Sequence, residues 1–349
     1  MHSTANIRWF ADISLADRET VGGKGGSLGE LTRAQLAVPP GFVVTTPGFE
    51  RVLAELENQN GIRARVEALS LQDLRGIRLL SEEIRTRVKS APLPPDVSAD
   101  IVAAHAELCG PHPDAPLAVR SSATAEDSEE ASFAGLQDTY LWIKGAEAVL
   151  EHVRSCWASL YSVASISYRR KGATPENGVA IAVVVQKMVE ARSAGVMFTR
   201  SPLTGDRSVI TVEAAWGLGS AVVSGEVTPD RFVIGKITGE ISVREISDKV
   251  IEHRPAEDGG IREVRTSEAF RRAPSISDGE LQALAEVGRK VERHYGRPQD
   301  IEWAIDRTGE ILLLQSRPET VWSGKDQAPA AQPWENPLLH VMNIFGGRR

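Results

Sequence analysis

The segment QDIEWAIDRTGEILLLQSRP, Gln299 to Pro318, reads as the two strands of one hairpin and carries charge where a buried strand cannot tolerate it. Ile301, Trp303 and Ile305 alternate with Asp300, Glu302 and Ala304, so one face of the first strand is apolar and the other bears two carboxylates. Asp306-Arg307-Thr308-Gly309 is turn chemistry, and Glu310 to Ser316 is the returning strand. A turn that closes with Ile305 opposite Glu310 puts Asp300 opposite Gln315, Glu302 diagonal to it, and Arg317 alongside. Any fold that uses this hairpin must set one face against a core and the other against water or a polar ligand. Two readings fit the polar face: a solvated sheet, or a magnesium and phosphate site. Mg²⁺ takes oxygen ligands and shares them with substrate phosphates.

A chain of 349 residues supports two or three lobes with ample core. Its net charge of −7 gives no general surface for nucleic acid or anionic membrane, so neither is expected as a partner. Two cysteines, Cys109 and Cys156, cannot build a disulfide framework, and their spacing matches no metal knuckle. Buried thiols in a reducing compartment are expected. The first residues lack the basic start and apolar run of a secretory signal, and runs such as Ile181 to Val185 are strand-sized, too short to span a bilayer. These features read as a cytoplasmic protein.

Residues 22 to 31, GGKGGSLGEL, form a glycine-rich turn leading into a helix through about Gln35. This is not a Walker A loop, because Lys24 is followed by glycine. It is open to two readings: a flexible connector, or an anion site built from backbone amides and a helix N-terminus. Helical periodicity runs from Pro47 to about Cys109, interrupted at Pro92 to Pro95. Leu117 to Arg120 is a short strand before a stretch of Ser, Thr, Ala and acidic residues; small residues around an arginine suit a phosphate cradle. Ala146 to about Lys171 reads as one amphipathic helix with Val149, Val153, Trp157 and Leu160 in a stripe. Val179 to Val189 is a strand buried on both faces. Gln186 inside it must be satisfied either by a structural hydrogen bond or by a nucleotide. Three further strands follow, Ala194 to Pro202, Val209 to Ala215 and Pro229 to Ile234, with Glu213 among apolar neighbours. A helix from Ser277 to Tyr295 then leads into the hairpin.

Eight stretches in order, GGKGGSLGEL, PPGFVVTT, AVRSSATAED, FAGLQDTYL, VVVQKMV, AGVMFTRSP, DIEWAID and LLQSRP, resemble the N-terminal ATP-binding domain of phosphoenolpyruvate synthase, pyruvate phosphate dikinase and rifampin phosphotransferase. The resemblance runs over residues 8 to 322. It implies an α+β, ATP-grasp-like two-lobed nucleotide clamp. Residues 1–180 would form the N-terminal lobe with the phosphate loops, 181–322 the C-terminal lobe with the adenine strand and the hairpin, and 323–349 a tail or linker.

By the same resemblance ATP and Mg²⁺ are the cofactors. Lys24 and Arg120 contact phosphates, Gly135 and Thr139 belong to the loop closing over them, and Gln186 flanks the adenine. Glu302 and Gln315 are metal ligands with Asp300 beside them, and Arg317 is the catalytic arginine. The implied reaction transfers the β-phosphoryl group of ATP to a histidine on a swivelling domain, releasing AMP and phosphate, for onward transfer to a small acceptor such as a phenol, pyruvate or an antibiotic.

Seven histidines, His2, His105, His112, His152, His253, His294 and His340, are present, and none lies in the Gly/Thr-Ser-His loop of that family. The histidine-bearing and acceptor-binding parts are therefore expected on a partner. Either the chain is a separate subunit, as in phenylphosphate synthase, or it is the excised domain of a longer phosphotransferase. Two readings from other classes stay open: an ATP-grasp ligase that forms an acyl phosphate, and a non-catalytic nucleotide sensor.

Overall fold

The computed structural model describes residues 2–124, 138–172 and 174–322. Ten helices are described: α1 Arg18–Arg33, α2 Thr46–Asn60, α3 Ile62–Glu67, α4 Leu74–Ser90, α5 Pro95–Cys109, α6 Ala146–Ser159, α7 Val163–Lys171, α8 Ser220–Val223, α9 Glu268–Arg271 and α10 Asp278–Tyr295. Five strands, β1 Ile7–Trp9, β2 Gly41–Val44, β3 Leu117–Ala123, β4 Thr139–Ile143 and β5 Ile181–Lys187, form one sheet in the order β1-β2-β5-β3-β4. A six-stranded sheet takes β6 Ala191–Phe198, β7 Val209–Trp216, β8 Asp230–Gly235, β9 Ile241–Glu245, β12 Gln299–Asp306 and β13 Ile311–Pro318, in the order β13-β12-β6-β7-β8-β9. β10 Ile251–Pro255 and β11 Ile261–Arg265 pair with each other. The named strands pair antiparallel, as in the α+β class and unlike the parallel sheets of α/β chains.

Each sheet has its own core. Phe42, Val44, Val183 and Val185 from the first sheet pack with Trp157 of α6 and with residues of α2, α4 and α5. Ile301, Trp303 and Ile305 of β12 pack with Leu281, Leu284 and Val291 of α10, which is the apolar face the alternation required. α10 is started by a reciprocal cap in which the Ser277 hydroxyl accepts from the Glu280 amide and the Glu280 carboxylate accepts from the Ser277 amide.

Three expectations change. β5, expected to open the second lobe, is the central strand of the first sheet, between β2 and β3; its continuous valines suit a position flanked on both sides. The single helix expected over 146–171 is two, because the Ser162 hydroxyl caps a new helix by accepting from the Ser165 amide. The hairpin register also differs. Ile305 pairs with Ile311, a bulge lies between Glu302 and Trp303, and beyond it Glu302 faces Gln315 while Asp300 faces Arg317. One extra residue on β13, Leu314, is thereby accommodated, and the alternation alone does not encode it.

α1 joins the two halves. It packs on β3 and β5 of the first sheet and on β13 of the second. It is kinked at Gly22, whose φ of 71° is open to glycine. A Cβ there would lie 2.1 Å from the Ser122 carbonyl oxygen, so the close approach also excludes any side chain. None of the helices among the described residues is long and apolar enough to cross a membrane.

Candidate active site

The bulge decides what the polar face of the hairpin presents. Glu302 and Gln315 are direct cross-strand neighbours, and their side chains converge on one guanidinium brought from the other sheet. Arg120 Nη2 donates to Glu302 Oε2 at 3.0 Å and to Gln315 Oε1 at 2.7 Å, and Nη1 donates to the Leu314 carbonyl at 2.9 Å. Arg120 is 8% exposed and sits on β3, far from the hairpin in sequence. Its planar fork matches a carboxylate, an amide oxygen and a carbonyl at once, which an ammonium could not.

Next to this clasp, Arg317 Nε lies 3.5 Å from Asp300 Oδ2, the two residues being paired across the strands. The Arg317 side chain is 40% exposed. A partly exposed guanidinium held by one carboxylate keeps donors for a further anion. Asp300, expected beside the metal ligands, thus lies on Arg317.

Lys24 is buried on α1, two residues beyond the kink. The segment after the kink is held to β3 by Ser122, whose hydroxyl donates to the Val21 carbonyl and accepts from the Gly25 amide. Thr139 is exposed at the start of β4, opposite Arg120 in register. The Gln186 amide donates to the Pro39 carbonyl at 3.1 Å, the structural hydrogen bond of the two readings open from the sequence. Gly135, with the rest of 125–137, lies outside the described residues, as does the 323–349 tail.

Magnesium needs one or two protein oxygens and shares the rest with phosphates and water. No cluster of three or more His, Cys, Asp or Glu side chains able to hold a metal occurs among the described residues. The Glu302 and Gln315 oxygens nevertheless already share one cationic group, Arg120 Nη2, so they converge on a single cation position. A carboxylate plus an amide oxygen at such a point fits Mg²⁺.

The sequence reading singled out Glu213 only as a charge among apolar neighbours. Gln315, Glu302, Val196 and Glu213 pair successively across β13, β12, β6 and β7, so Glu213 shares a face with the clasp, about 10 Å from Glu302 at ordinary strand spacing. Burial holds its carboxyl above the usual carboxylate range, partly offset by Arg231. Leu314 was also missed, since it contributes a backbone carbonyl and carries no side-chain signal. A cavity of about 550 Å³, bordered by Glu190, Arg192, Trp216, His253 and Phe270, lies near the Ala191 end of β6, and none of the expected site residues lines it.

Residues 18–336 match the family model described as pyruvate phosphate dikinase, AMP/ATP-binding domain. A probable phosphoenolpyruvate synthase of Methanothermobacter thermautotrophicus is 44% identical over 316 residues, covering 90% of this chain and 46% of that protein. A rifampicin phosphotransferase of a Streptomyces species is 42% identical over 313 residues, covering 88% of this chain and 35% of that protein. The chain thus spans less than half the length of these curated relatives. Among solved structures, D-cycloserine synthetase DcsG aligns with 62% of this chain and 52% of its own at 14% identity and a TM-score of 0.26, too slight an overlap to bear on the fold. With its match over nearly the whole length and identities above 40% to two differently named relatives, this chain belongs to the pyruvate phosphate dikinase AMP/ATP-binding domain family.

Proposed function

We propose that this chain binds ATP and magnesium between its two sheets as an ATP-grasp-like clamp. It would carry the nucleotide half of a dikinase reaction, in which the β-phosphoryl group passes to a histidine on a swivelling domain or subunit and AMP and phosphate are released. The carrying observation is the clasp: Arg120 of the first sheet holds Glu302 and Gln315 of the second, beside the Arg317–Asp300 pair.

Phosphoryl transfer through a loose transition state depends on positioning and charge neutralisation. Arg317, oriented by Asp300 and partly exposed, would set a fixed positive charge beside the transferring group. Lys24 of α1 and Arg120 of β3 would grip the flanking phosphates. Glu302 and Gln315 would hold the metal, which supplies charge neutralisation across adjacent phosphates. The Gln186 side chain is occupied by Pro39, which leaves adenine recognition to backbone groups near that strand. The acceptor, whether pyruvate, a phenol or an antibiotic, would be recognised by a partner domain or subunit.

Incubation with Mg·ATP, with and without a histidine-bearing partner, followed by separation of nucleotides tests the reading. AMP and phosphate in equal amounts support it. ADP as the sole product points to an acyl-phosphate-forming ligase, and tight binding without turnover to a nucleotide sensor; either result overturns the dikinase assignment.

A further inference from the structure

Among the described residues β13 is the outer strand of its sheet, and one of its edges has no neighbouring strand. Unpaired backbone groups on a buried edge must find other partners. At Ser316 both are satisfied by one side chain: the Ser27 hydroxyl donates to the Ser316 carbonyl at 2.5 Å and accepts from the Ser316 amide at 3.3 Å. A single hydroxyl thus makes the two bonds that an adjacent strand would supply. Ser27 and Ser316 are 5% and 3% exposed, so water does not replace either bond. The Ser316 hydroxyl donates to Gln299 Oε1 at 3.0 Å, and the Gln299 amide is fixed in turn on the Pro298 carbonyl, which leaves this part of β13 no slack.

The positions of the two serines matter more than their energies. Ser27 lies one helical turn after Lys24 on α1, the helix packed on β3 and β5 of the first sheet and on β13 of the second. Ser316 lies between Gln315 and Arg317. We propose that Ser27 is a positioning residue: it sets the Lys24-bearing helix against Gln315 and Arg317, so that one nucleotide engages the phosphate grip and the metal ligands together. This inference rests on the nucleotide and magnesium reading given above. Ser27 touches no substrate; it acts through the backbone of β13. Its loss would loosen the alignment of two half-sites, each of which stays intact.

The test measures the dissociation constant of the non-hydrolysable analogue AMP-PNP for the full chain, in EDTA and in excess Mg²⁺, for wild type, Ser27→Ala, Glu302→Gln and the double variant. Ser81→Ala serves as control, because it removes an equally buried hydroxyl, bonded to the Tyr161 carbonyl at 2.7 Å, away from the hairpin. For Ser27→Ala the constant in EDTA should stay within about twofold of wild type while that in Mg²⁺ rises about tenfold, within the usual range of coupling between sites. Ser81→Ala should lower the melting temperature but leave the EDTA-to-Mg²⁺ ratio unchanged. In the Glu302→Gln background, Ser27→Ala should have little further effect in Mg²⁺. A ratio within twofold of wild type, or equal weakening with and without Mg²⁺, overturns the proposal. If Glu302→Gln leaves the wild-type ratio unchanged, the magnesium reading itself is wrong, and the positioning role falls with it.

Discussion

Arg120→Met separates two roles of one guanidinium. In the structure Arg120 Nη2 sits on the Glu302 and Gln315 oxygens that would hold the metal, at 3.0 and 2.7 Å. A metal held by the same two oxygens at the point where Nη2 now sits would compete with it for that position. On the proposed function, the guanidinium would leave the hairpin when Mg·ATP binds and would move to the phosphates. Hydrogen bonds to charged groups contribute about 1.5–3 kcal/mol each. Glu302 keeps 29% of its side chain exposed, so the cost of displacing Arg120 lies at the lower end, about 1.5 kcal/mol, or roughly tenfold in affinity. Methionine fills similar volume without charge. The variant should therefore bind Mn²⁺ alone about tenfold more tightly than wild type, as read by the free-ion signal in electron paramagnetic resonance. It should bind Mg·AMP-PNP about tenfold more weakly, as read by calorimetry. Tighter metal binding in a variant that has lost a nucleotide contact is hard to obtain by general damage. Unchanged or weaker Mn²⁺ binding by a folded Arg120→Met protein would refute the exchange.

Arg317→Ala should abolish AMP formation while leaving Mg·ATP affinity within about threefold, because a group acting mainly in the transition state contributes little to ground-state binding; near-wild-type turnover would remove Arg317 from the chemistry. The Arg169–Glu176 pair is buried, with Arg169 Nη1 also on the Leu160 carbonyl, so Arg169→Met should cost about 3–5 kcal/mol in urea unfolding. Replacing both partners by apolar residues should recover much of that loss. Glu213, whose carboxyl burial holds above the usual range, keeps its proton in the folded state at pH values where the unfolded chain has released it. Its contribution is therefore complete below the unfolded value and is lost as pH rises through the folded one. Glu213→Gln should accordingly gain stability relative to wild type as pH rises above the ordinary glutamate range in thermal unfolding, and a parallel pH dependence of the two proteins would contradict this.

Much of the site was legible because it is written in local patterns. The alternation around Trp303 identified the hairpin, its apolar face and its polar face, and the ordered motifs identified the family. The register was not legible, because alternation is preserved by any even shift and the bulge at Glu302 depends on accommodating Leu314. The place of β5 in the first sheet was hidden for a related reason: a run of valines marks a central strand but not which sheet it is central to. Arg120 was singled out as a phosphate ligand. That it clasps the hairpin depends on two sheets meeting through residues 182 positions apart, which no local pattern records. Ser27 stood in the glycine-rich stretch throughout, yet a serine in a helix carries no signal that its hydroxyl completes the edge of a distant strand.

Phosphoryl destination tests the central claim most directly. The protein is mixed with a candidate histidine-bearing partner and with ATP labelled at either the β- or the γ-phosphorus, quenched within one turnover, and the protein-bound label is assayed for the acid lability and base stability of phosphohistidine. A dikinase half-reaction leaves the β-label on the partner's histidine and the γ-label in free phosphate, with AMP formed in equal amount. Gamma-label on protein with ADP in solution, or no label on protein while ADP accumulates, would contradict it.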